Sequence, residues 1–240
     1  GVPCVIAAQT RKGARILPAK AKEAGAPAVS EGKDWFVLSR ADGFTYNSGE
    51  TVRRLPLPAL AGKHQLRNAG HAIAIADQLE GFEISDDAIA TGLGAARWPA
   101  RLQRLTTGPL AQLMPDGWEL WLDGGHNPAA GKVLADHTRG WRGTPLHLVM
   151  AMMTGKDPIG FLKPLESVVS SLHGIAIPNE PGTLPAEKAA LAAQYVGIEA
   201  TTADTVDAAI RDIIGNSETP ARILICGSLY LAGHILRDNS

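Results

Sequence analysis

The sequence predicts an α/β fold whose C-terminal part is a mostly parallel, doubly wound sheet. Short apolar runs alternate with amphipathic segments from about residue 100 onward. Such alternation with short connections is typical of parallel strands joined by right-handed helical crossovers. Before residue 100 the pattern differs and includes an Asp-Gly turn signal typical of antiparallel strands. The length of 240 residues allows two modest domains, and we predict them at residues 1–100 and 101–240.

The first domain is predicted to combine a strand, three helices and a small antiparallel ribbon. Residues 2–8 read as a buried strand, and residues 18–25 as a helix that ends at a glycine. The ribbon is predicted between residues 29 and 54. Helices are predicted at residues 64–79 and 85–93, the second with Ser85 as its N-cap and acidic residues in its first turn.

The second domain is predicted as five strands, each followed by a helix. The apolar runs predict strands at residues 118–122, 146–152, 171–177, 198–201 and 222–226. The segments between and after them predict helices at residues 129–139, 159–169, 185–196, 206–214 and 229–236. Ligands of open α/β sheets bind outside the carboxyl ends of the strands, so we expect the functional site there.

Composition and charge favour a globular protein that does not bind nucleic acid. The sequence is 45% hydrophobic and 20% charged, and its formal net charge of -1 lacks the basic excess of a nucleic-acid-binding protein. No apolar run approaches the roughly 20 residues of a membrane span, and no secretory signal pattern opens the chain. Cys4 and Cys226 lie in apolar runs and are predicted to be buried thiols in a reducing compartment. A cytoplasmic location is therefore predicted.

Polar residues that a core does not need follow three of the predicted strands. They form the segments Asp123-Gly-Gly-His126-Asn127 after Leu122, Thr154-Gly-Lys-Asp157 after Met152, and Gly227-Ser228 after Cys226. The carboxyl ends of parallel strands meet at one edge of a sheet, so these segments are predicted to lie together.

Asp123 and His126 allow two interpretations. In the structural one, Asp123 caps the following helix while His126 and Asn127 satisfy the backbone of the turn. In the functional one, Asp123 accepts hydrogen bonds from a sugar hydroxyl or orients a cation, and His126 contacts a substrate carboxylate. A metal site is less favoured, because no HExxH motif or Cys/His set lies nearby.

Ser228 and Arg101 also allow two interpretations each. Ser228 either holds an anion together with backbone N–H groups or is a plain helix N-cap. Its surroundings, Cys226-Gly-Ser-Leu-Tyr230, are not a GxSxG nucleophile elbow. Arg101 lies at the predicted domain boundary, a possible hinge, where its guanidinium either clamps phosphates or is solvated.

A phosphate-binding loop of the GxxxxGK[ST] type is absent from the sequence. Gly-Lys occurs at residues 32–33, 62–63, 131–132 and 155–156, but never before Ser or Thr. A phosphate-bearing ligand must therefore be held by other groups.

Five motifs resemble, in this order, the C-terminal half of the folylpolyglutamate synthases, a family of Mur-type amide ligases that are often also dihydrofolate synthases. They are Leu60-Ala-Gly-Lys-His-Gln-Leu-Arg-Asn68-Ala, Trp98-Pro-Ala-Arg101, Leu122-Asp-Gly-Gly-His-Asn-Pro128, Met153-Thr-Gly-Lys-Asp157 and Cys226-Gly-Ser-Leu-Tyr230. The resemblance covers essentially the whole chain. It implies a C-terminal Rossmann-like ligase domain at residues 101–240, preceded at residues 1–100 by the distal part of a Mur-type ATPase domain.

The chemistry that the resemblance implies is ATP-dependent ligation. ATP phosphorylates the terminal carboxylate of a folate or of dihydropteroate, and the amine of L-glutamate then attacks the acyl phosphate with Mg²⁺ present. By the same resemblance, Asn68 is the adenine contact, Arg101 contacts the ATP phosphates and Asp123 is an acid on the nucleotide side. His126 and Ser228 position the glutamate. Asp123 and His126 are thus the predicted catalytic residues.

Two further positions in these motifs bear on the resemblance. Gly125 stands where the family usually has alanine, a departure that widens the turn without removing its functional groups. Lys156 and Asp157 match a Lys-Asp pair of the family, which we interpret as mainly structural, a pair that fixes the loop.

The resemblance also predicts what this chain does not contain. In the family a phosphate-binding loop and the Mg²⁺ ligands precede the matched part, so we expect no metal ligand in this chain and no catalysis by the chain alone. The family's usual monomer is the expected oligomeric state. Two alternatives stay open: another Mur-type ligase with a different amino-acid acceptor, and a Rossmann-like binding module that performs no chemistry.

Overall fold

The structure, a computed structural model, describes residues 1–49, 51–62, 64–141 and 143–239. The chain divides into two compact units, Gly1–Trp98 and Pro99–Ser240. Lys63, which belongs to the first of the five motifs, lies outside the described residues. Among the helices that the structure describes, none is both long and apolar enough to cross a membrane.

The first unit contains a parallel pair of strands, an antiparallel sheet and three helices. Strand β1 (Cys4–Ile6) is followed by helix α1 (Arg11–Glu23) and by β2 (Ala28–Ser30), which pairs with β1 in parallel. The antiparallel sheet consists of β3 (Phe36–Ser39), β4 (Phe44–Asn47) and β5 (Val52–Leu55). Helices α2 (His64–Ala76) and α3 (Asp86–Ala95) follow. Their apolar faces and this sheet enclose a core of Trp35, Phe44, Tyr46, Leu55, Ala69, Ile73, Ala74 and Ile89.

The elements predicted for this unit are present, and their ends are corrected. The strand predicted as buried at residues 2–8 spans only Cys4–Ile6 and is buried only at Ile6. The antiparallel ribbon and the Ser85 cap are present, and the Ser85 side chain accepts a hydrogen bond from Ala88 N at 3.2 Å. Helix α1 begins at Arg11 rather than at Pro18, because Thr10 caps it through Gly13 N. Pro18 lies inside the helix. Gly25, with φ of 64°, follows the helix end as predicted.

The second unit contains a six-stranded sheet. Its strands are β6 (Gln103–Leu105), β7 (Glu119–Leu122), β8 (Leu146–Met150), β9 (Ser171–Gly174), β10 (Glu199–Thr202) and β11 (Arg222–Cys226). They lie in the order β10-β9-β8-β11-β7-β6, all parallel except β6, which is antiparallel to β7. The predicted α/β fold with a mostly parallel sheet is confirmed.

Helices cover both faces of this sheet, as expected of a doubly wound fold. They are α4 (Pro128–Thr138), α5 (Pro158–Leu162), α6 (Ala186–Tyr195), α7 (Val206–Gly215) and α8 (Leu229–Asp238). Helices α4 and α6 both contact α5, whereas residues of α7 and α8 share a core cluster with Val149 of β8. Leu148 and Met150 flank Val149 in β8, so they point to the opposite face of the sheet, and both are also fully buried.

Three predictions for the second unit are wrong in detail. The helix predicted at residues 159–169 ends at Leu162 and passes into a short 3₁₀ turn, since Pro164 cannot continue the helical hydrogen bonds. The strands that begin at Leu146 and Ser171 are shorter than predicted. The apolar runs continue past the strand ends into buried connections that contain Met152 and Ile177. Strand β6 was not predicted, since its three residues carry no periodic pattern.

The order of the strands brings three connections together. Strand β11 comes last in the chain but lies between β7 and β8. The segments that follow these three strands therefore meet at one edge of the sheet, the position at which open α/β sheets bind their ligands.

Candidate active site at the carboxyl ends of the sheet

Backbone hydrogen bonds join the turns after β7, β8 and β11. Gly227 N donates to Gly125 O at 3.0 Å, and Ala151 N donates to Cys226 O at 3.2 Å. Asp123 N donates to Ile225 O at 2.9 Å, which continues the pairing of β7 with β11. The predicted juxtaposition of the three segments is therefore present, and it places the segments that carry Asp123, His126 and Ser228 side by side.

The Asp123 carboxylate accepts hydrogen bonds from two backbone groups. Its side chain is buried, with an exposed fraction of 6%. Oδ1 accepts a hydrogen bond from Gly125 N at 2.7 Å, and Oδ2 accepts one from Leu102 N at 2.9 Å. A Cβ at Gly125 would lie 2.8 Å from Oδ1, so glycine leaves room for the carboxylate at this point of the turn. Asp123 therefore fixes the conformation of two chain segments.

The helix after this turn is capped by Asn127 and not by Asp123. Asn127 Oδ1 accepts a hydrogen bond from Ala130 N at 2.9 Å, and Pro128 occupies the first helical position. The structural interpretation of Asp123 as the helix cap is thus wrong. The cap must directly precede the first helical residue, and Asp123 lies too far upstream.

His126 is oriented by the turn itself. Its Nδ1 lies 3.0 Å from Gly124 O, and since a carbonyl only accepts, Nδ1 carries the proton. Nε2 is then the nitrogen left for a ligand, and on the neutral ring it is an acceptor. The ring is half-buried.

Ser228 is the N-cap of α8. Its Oγ accepts hydrogen bonds from Tyr230 N at 3.1 Å and from Leu231 N at 3.4 Å, and the residue is buried, with an exposed fraction of 3%. The N-cap role that the sequence suggested is therefore present in the structure. A contact with glutamate would have to use the hydroxyl hydrogen, the donor that this capping role does not require.

Arg101 is exposed between two buried residues of unusual conformation. Ala100 has φ of 56° and Leu102 has φ of 43°, both in the left-handed region that residues other than glycine rarely adopt. Three hydrogen bonds hold the segment: Gln103 Oε1 accepts from Ala100 N, Asp123 Oδ2 accepts from Leu102 N, and Gly124 N donates to Ala100 O. The sequence did not point to Gln103, because a single glutamine carries no distinctive signal.

Asn68 lies on α2 in the first unit, where its side chain is oriented by a neighbour. It is exposed, and its Nδ2 donates a hydrogen bond to Gln65 Oε1 at 2.9 Å. Gln65 is buried, and its Nε2 lies 3.0 Å from His64 Nε2. Gln65 belongs to the first motif but was not singled out by the sequence. Its position one turn before Asn68 on the same helix face was the available signal.

The Lys156-Asp157 segment after β8 has a role different from the predicted pair. Asp157 Oδ1 accepts a hydrogen bond from Gly160 N at 2.8 Å and so caps α5. Lys156 is exposed, and no ion pair between these two side chains is found in the described part of the chain. The interpretation of Asp157 as structural is confirmed, whereas the pairing is not.

Two titratable groups that interact with Asp123, Cys226 and His137, have pKa values shifted in the direction that favours their neutral forms. Burial, with a smaller contribution from the Asp123 carboxylate, raises the pKa of the Cys226 thiol well above its ordinary value. Burial lowers the pKa of His137, an effect that Asp123 opposes. Cys226 is a fully buried free thiol, as predicted, whereas Cys4 is only half-buried. Cys226 therefore stays protonated and is not a nucleophile.

Comparison with known proteins assigns the family. A sequence model for the family described as dihydrofolate synthetase, C-terminal domain, matches residues 107–238. The chain belongs to the dihydrofolate synthetase family. It is 26% identical to the folylpolyglutamate synthase of Lacticaseibacillus casei over 246 aligned positions, which cover 98% of this chain and 53% of that protein.

Solved structures of the same group share the fold. The structure of Mycobacterium tuberculosis folylpolyglutamate synthase complexed with ADP is 27% identical, with a TM-score of 0.81 over 97% of this chain and 54% of that one. The bifunctional folylpolyglutamate synthase/dihydrofolate synthase of Yersinia pestis, complexed with AMPPNP and a Mn ion, is 25% identical, with a TM-score of 0.77 over 93% of this chain and 50% of that one. This member of the dihydrofolate synthetase family thus spans about half the length of the curated relatives it matches.

Proposed function

We propose that this chain is part of an ATP-dependent ligase that adds L-glutamate to folate, and to dihydropteroate, through an acyl phosphate. The observation that carries the proposal is the joining of the turns after β7, β8 and β11 at one edge of the sheet. The family membership and the names of the relatives support it. In this proposal residues 101–240 are the ligase domain and residues 1–100 the distal part of the ATPase domain.

Three residues are proposed to form the nucleotide site, each with a different role. Asn68 presents its side-chain amide to the adenine, and Arg101 presents its guanidinium to the phosphates. The Asp123 carboxylate accepts hydrogen bonds from Leu102 N and Gly125 N, and so it positions both the segment that carries Arg101 and its own turn. A ligand-facing role of Asp123, such as a contact with the ribose, belongs to the same proposal.

The glutamate is proposed to lie near His126 and Ser228. Because Nδ1 of His126 donates to a backbone carbonyl, the neutral ring offers Nε2 as an acceptor. An acceptor suits the amino group of glutamate, which must lose a proton before it attacks the acyl phosphate. The carboxylate contact inferred from the sequence would instead need the doubly protonated ring. The Ser228 hydroxyl can donate to the glutamate carboxylate while it caps α8.

Mg²⁺ is proposed to be held outside this chain. Among residues 1–49, 51–62, 64–141 and 143–239, no three His, Cys, Asp or Glu side chains are close enough to hold a metal ion. In this proposal none of these residues is assigned to the ion. A monomeric and cytoplasmic protein is part of the proposal, with the two free thiols as support for the compartment.

The proposal is tested by glutamate-dependent release of ADP. The complete protein that carries this chain is expected to release ADP when ATP, Mg²⁺, L-glutamate and either dihydropteroate or a reduced folate are supplied together. The 240-residue chain by itself is expected to release none, because its sequence contains no GxxxxGK[ST] phosphate loop. A coupled assay for ADP measures both.

The controls separate the rival functions. ADP release that depends on a UDP-linked muropeptide, and not on a pterin substrate, would identify a different Mur-type ligase. The absence of turnover by the complete protein, with nucleotide binding retained, would favour a non-catalytic binding module. Robust turnover by the 240-residue chain alone would contradict the claim that an essential part lies outside it.

The orientation of the Asn68 amide gives a second prediction. Since Nδ2 donates to Gln65 Oε1, Oδ1 is left as an acceptor suited to the 6-amino group of adenine and unsuited to the 6-oxo group of hypoxanthine. Replacement of Gln65 with Leu releases the amide, so the preference for ATP over ITP is expected to fall about tenfold. The ratio of kcat/KM for the two nucleotides in the complete protein measures it.

A matched substitution checks this selectivity prediction. Gln78→Leu makes the same chemical change just beyond the end of α2 and is expected to leave the ratio unchanged. If Gln65→Leu also leaves the ratio unchanged while ATP is still used, Gln65 does not orient Asn68.

A further inference from the structure

The segment Ala100-Arg101-Leu102 is a turn held against its conformational preference. Both flanking residues have positive φ, and both are buried, with exposed fractions of 3% and 5%. In a residue other than glycine, positive φ brings the Cβ too close to the backbone of the same residue. Such a residue adopts negative φ unless other groups hold its backbone in the left-handed conformation. Arg101, between them, is exposed.

The groups that hold the turn come from two places. Gln103 Oε1 accepts a hydrogen bond from Ala100 N at 2.9 Å and so holds the first left-handed residue. Asp123 Oδ2 accepts one from Leu102 N at 2.9 Å and holds the second. Gly124 N donates to Ala100 O at 2.8 Å, which fixes the same turn to the segment after β7. Two N–H groups and one C=O group of the turn thus have partners outside the three residues.

We propose that Gln103 is a positioning residue for Arg101, holding Ala100 in the left-handed conformation that directs the guanidinium toward the nucleotide phosphates. This rests on the proposed function, which gives Arg101 its phosphate contact. Gln103 acts through the backbone and touches no ligand. Without its side-chain oxygen, Ala100 returns to negative φ, and the direction of the Arg101 side chain changes with it.

The test is a substitution together with a second-site suppressor in the complete protein. Gln103→Met removes the acceptor but keeps the size of the side chain, and it is expected to raise KM for ATP about tenfold while KM for glutamate stays unchanged. Ala100→Gly in the same protein is expected to return KM for ATP most of the way to its original value. Glycine adopts positive φ without steric cost, so the turn then needs Gln103 less.

The suppressor distinguishes positioning from other roles. If Gln103 touched the ligand, or only stabilised the fold, glycine at position 100 would not restore KM for ATP. The control Gln112→Met makes the same change at an exposed glutamine and is expected to have no effect. Circular dichroism checks folding. If Gln103→Met alone does not fold, KM for ATP is compared between the double variant and Ala100→Gly alone, and a higher value in the double variant would contradict the proposal.

Two outcomes overturn the inference. One is an unchanged KM for ATP in folded Gln103→Met, and the other is a raised KM that Ala100→Gly does not lower. Failure of the proposed function looks different, because the unsubstituted complete protein would then show no ATP-dependent ligation at all.

Discussion

Asp123→Asn is expected to destabilise the 240-residue chain by about 2–3 kcal/mol, because a buried N–H group loses its acceptor. Asparagine keeps one acceptor oxygen, but its NH₂ group replaces the other. That NH₂ group then faces either Gly125 N or Leu102 N, so two hydrogen-bond donors meet where the carboxylate accepted a hydrogen bond. In the complete protein the ligation rate is expected to fall at least about 100-fold, since a displacement of about 1 Å at an active site has that effect. Urea unfolding measures the first result and ADP release the second.

An exposed aspartate on the following helix provides the control. Asp136→Asn removes only an exposed ion pair with Arg139 and is expected to change stability by less than about 0.5 kcal/mol. If Asp123→Asn behaved like Asp136→Asn in both measurements, the two buried hydrogen bonds of Asp123 would not matter. If stability fell but ligation did not, its catalytic role would be wrong.

The fold was largely predictable from the sequence because each strand of the second unit is a short apolar run between turn residues. The central strands β8 and β11 are buried on both faces, so their sequences show almost no polar residue. The errors have a common cause. Apolar residues such as Met152 and Ile177 are buried in connections as well as in strands, and hydrophobicity alone does not separate the two cases.

The edge of the sheet at which the candidate residues meet was predictable, but the partners of their side chains were not. The rule for open α/β sheets depends only on strand order, and it brought Asp123 and Ser228 to the same edge. The pairing of Asp123 with Leu102 N spans 21 residues and requires the antiparallel strand β6, which the sequence did not reveal. The roles of Gln103 and Gln65 likewise depend on side-chain directions that no spacing specifies.

Gly227 is a position where an added methyl group is expected to damage both the fold and the candidate site. It has φ of 98°, and a Cβ there would lie 2.3 Å from Ala151 O, a backbone atom that cannot move aside alone. Gly227→Ala is therefore expected to destabilise the chain by about 3–5 kcal/mol, from backbone strain and overpacking combined.

The consequence for the site follows from what Gly227 joins. The added methyl group meets Ala151 O, so it pushes the turn after β11 away from the β8 turn. That shift also disturbs the hydrogen bond from Gly227 N to Gly125 O of the β7 turn. Ser228 is the next residue, and in the complete protein KM for glutamate is expected to rise wherever folded protein is recovered. Gly233→Ala in α8 is the matched control, since an added Cβ there meets nothing within 4 Å, and it is expected to raise the urea midpoint slightly because alanine favours the helix. If both alanine variants unfolded at the same urea concentration, the close approach of the three turns would not be required for the fold.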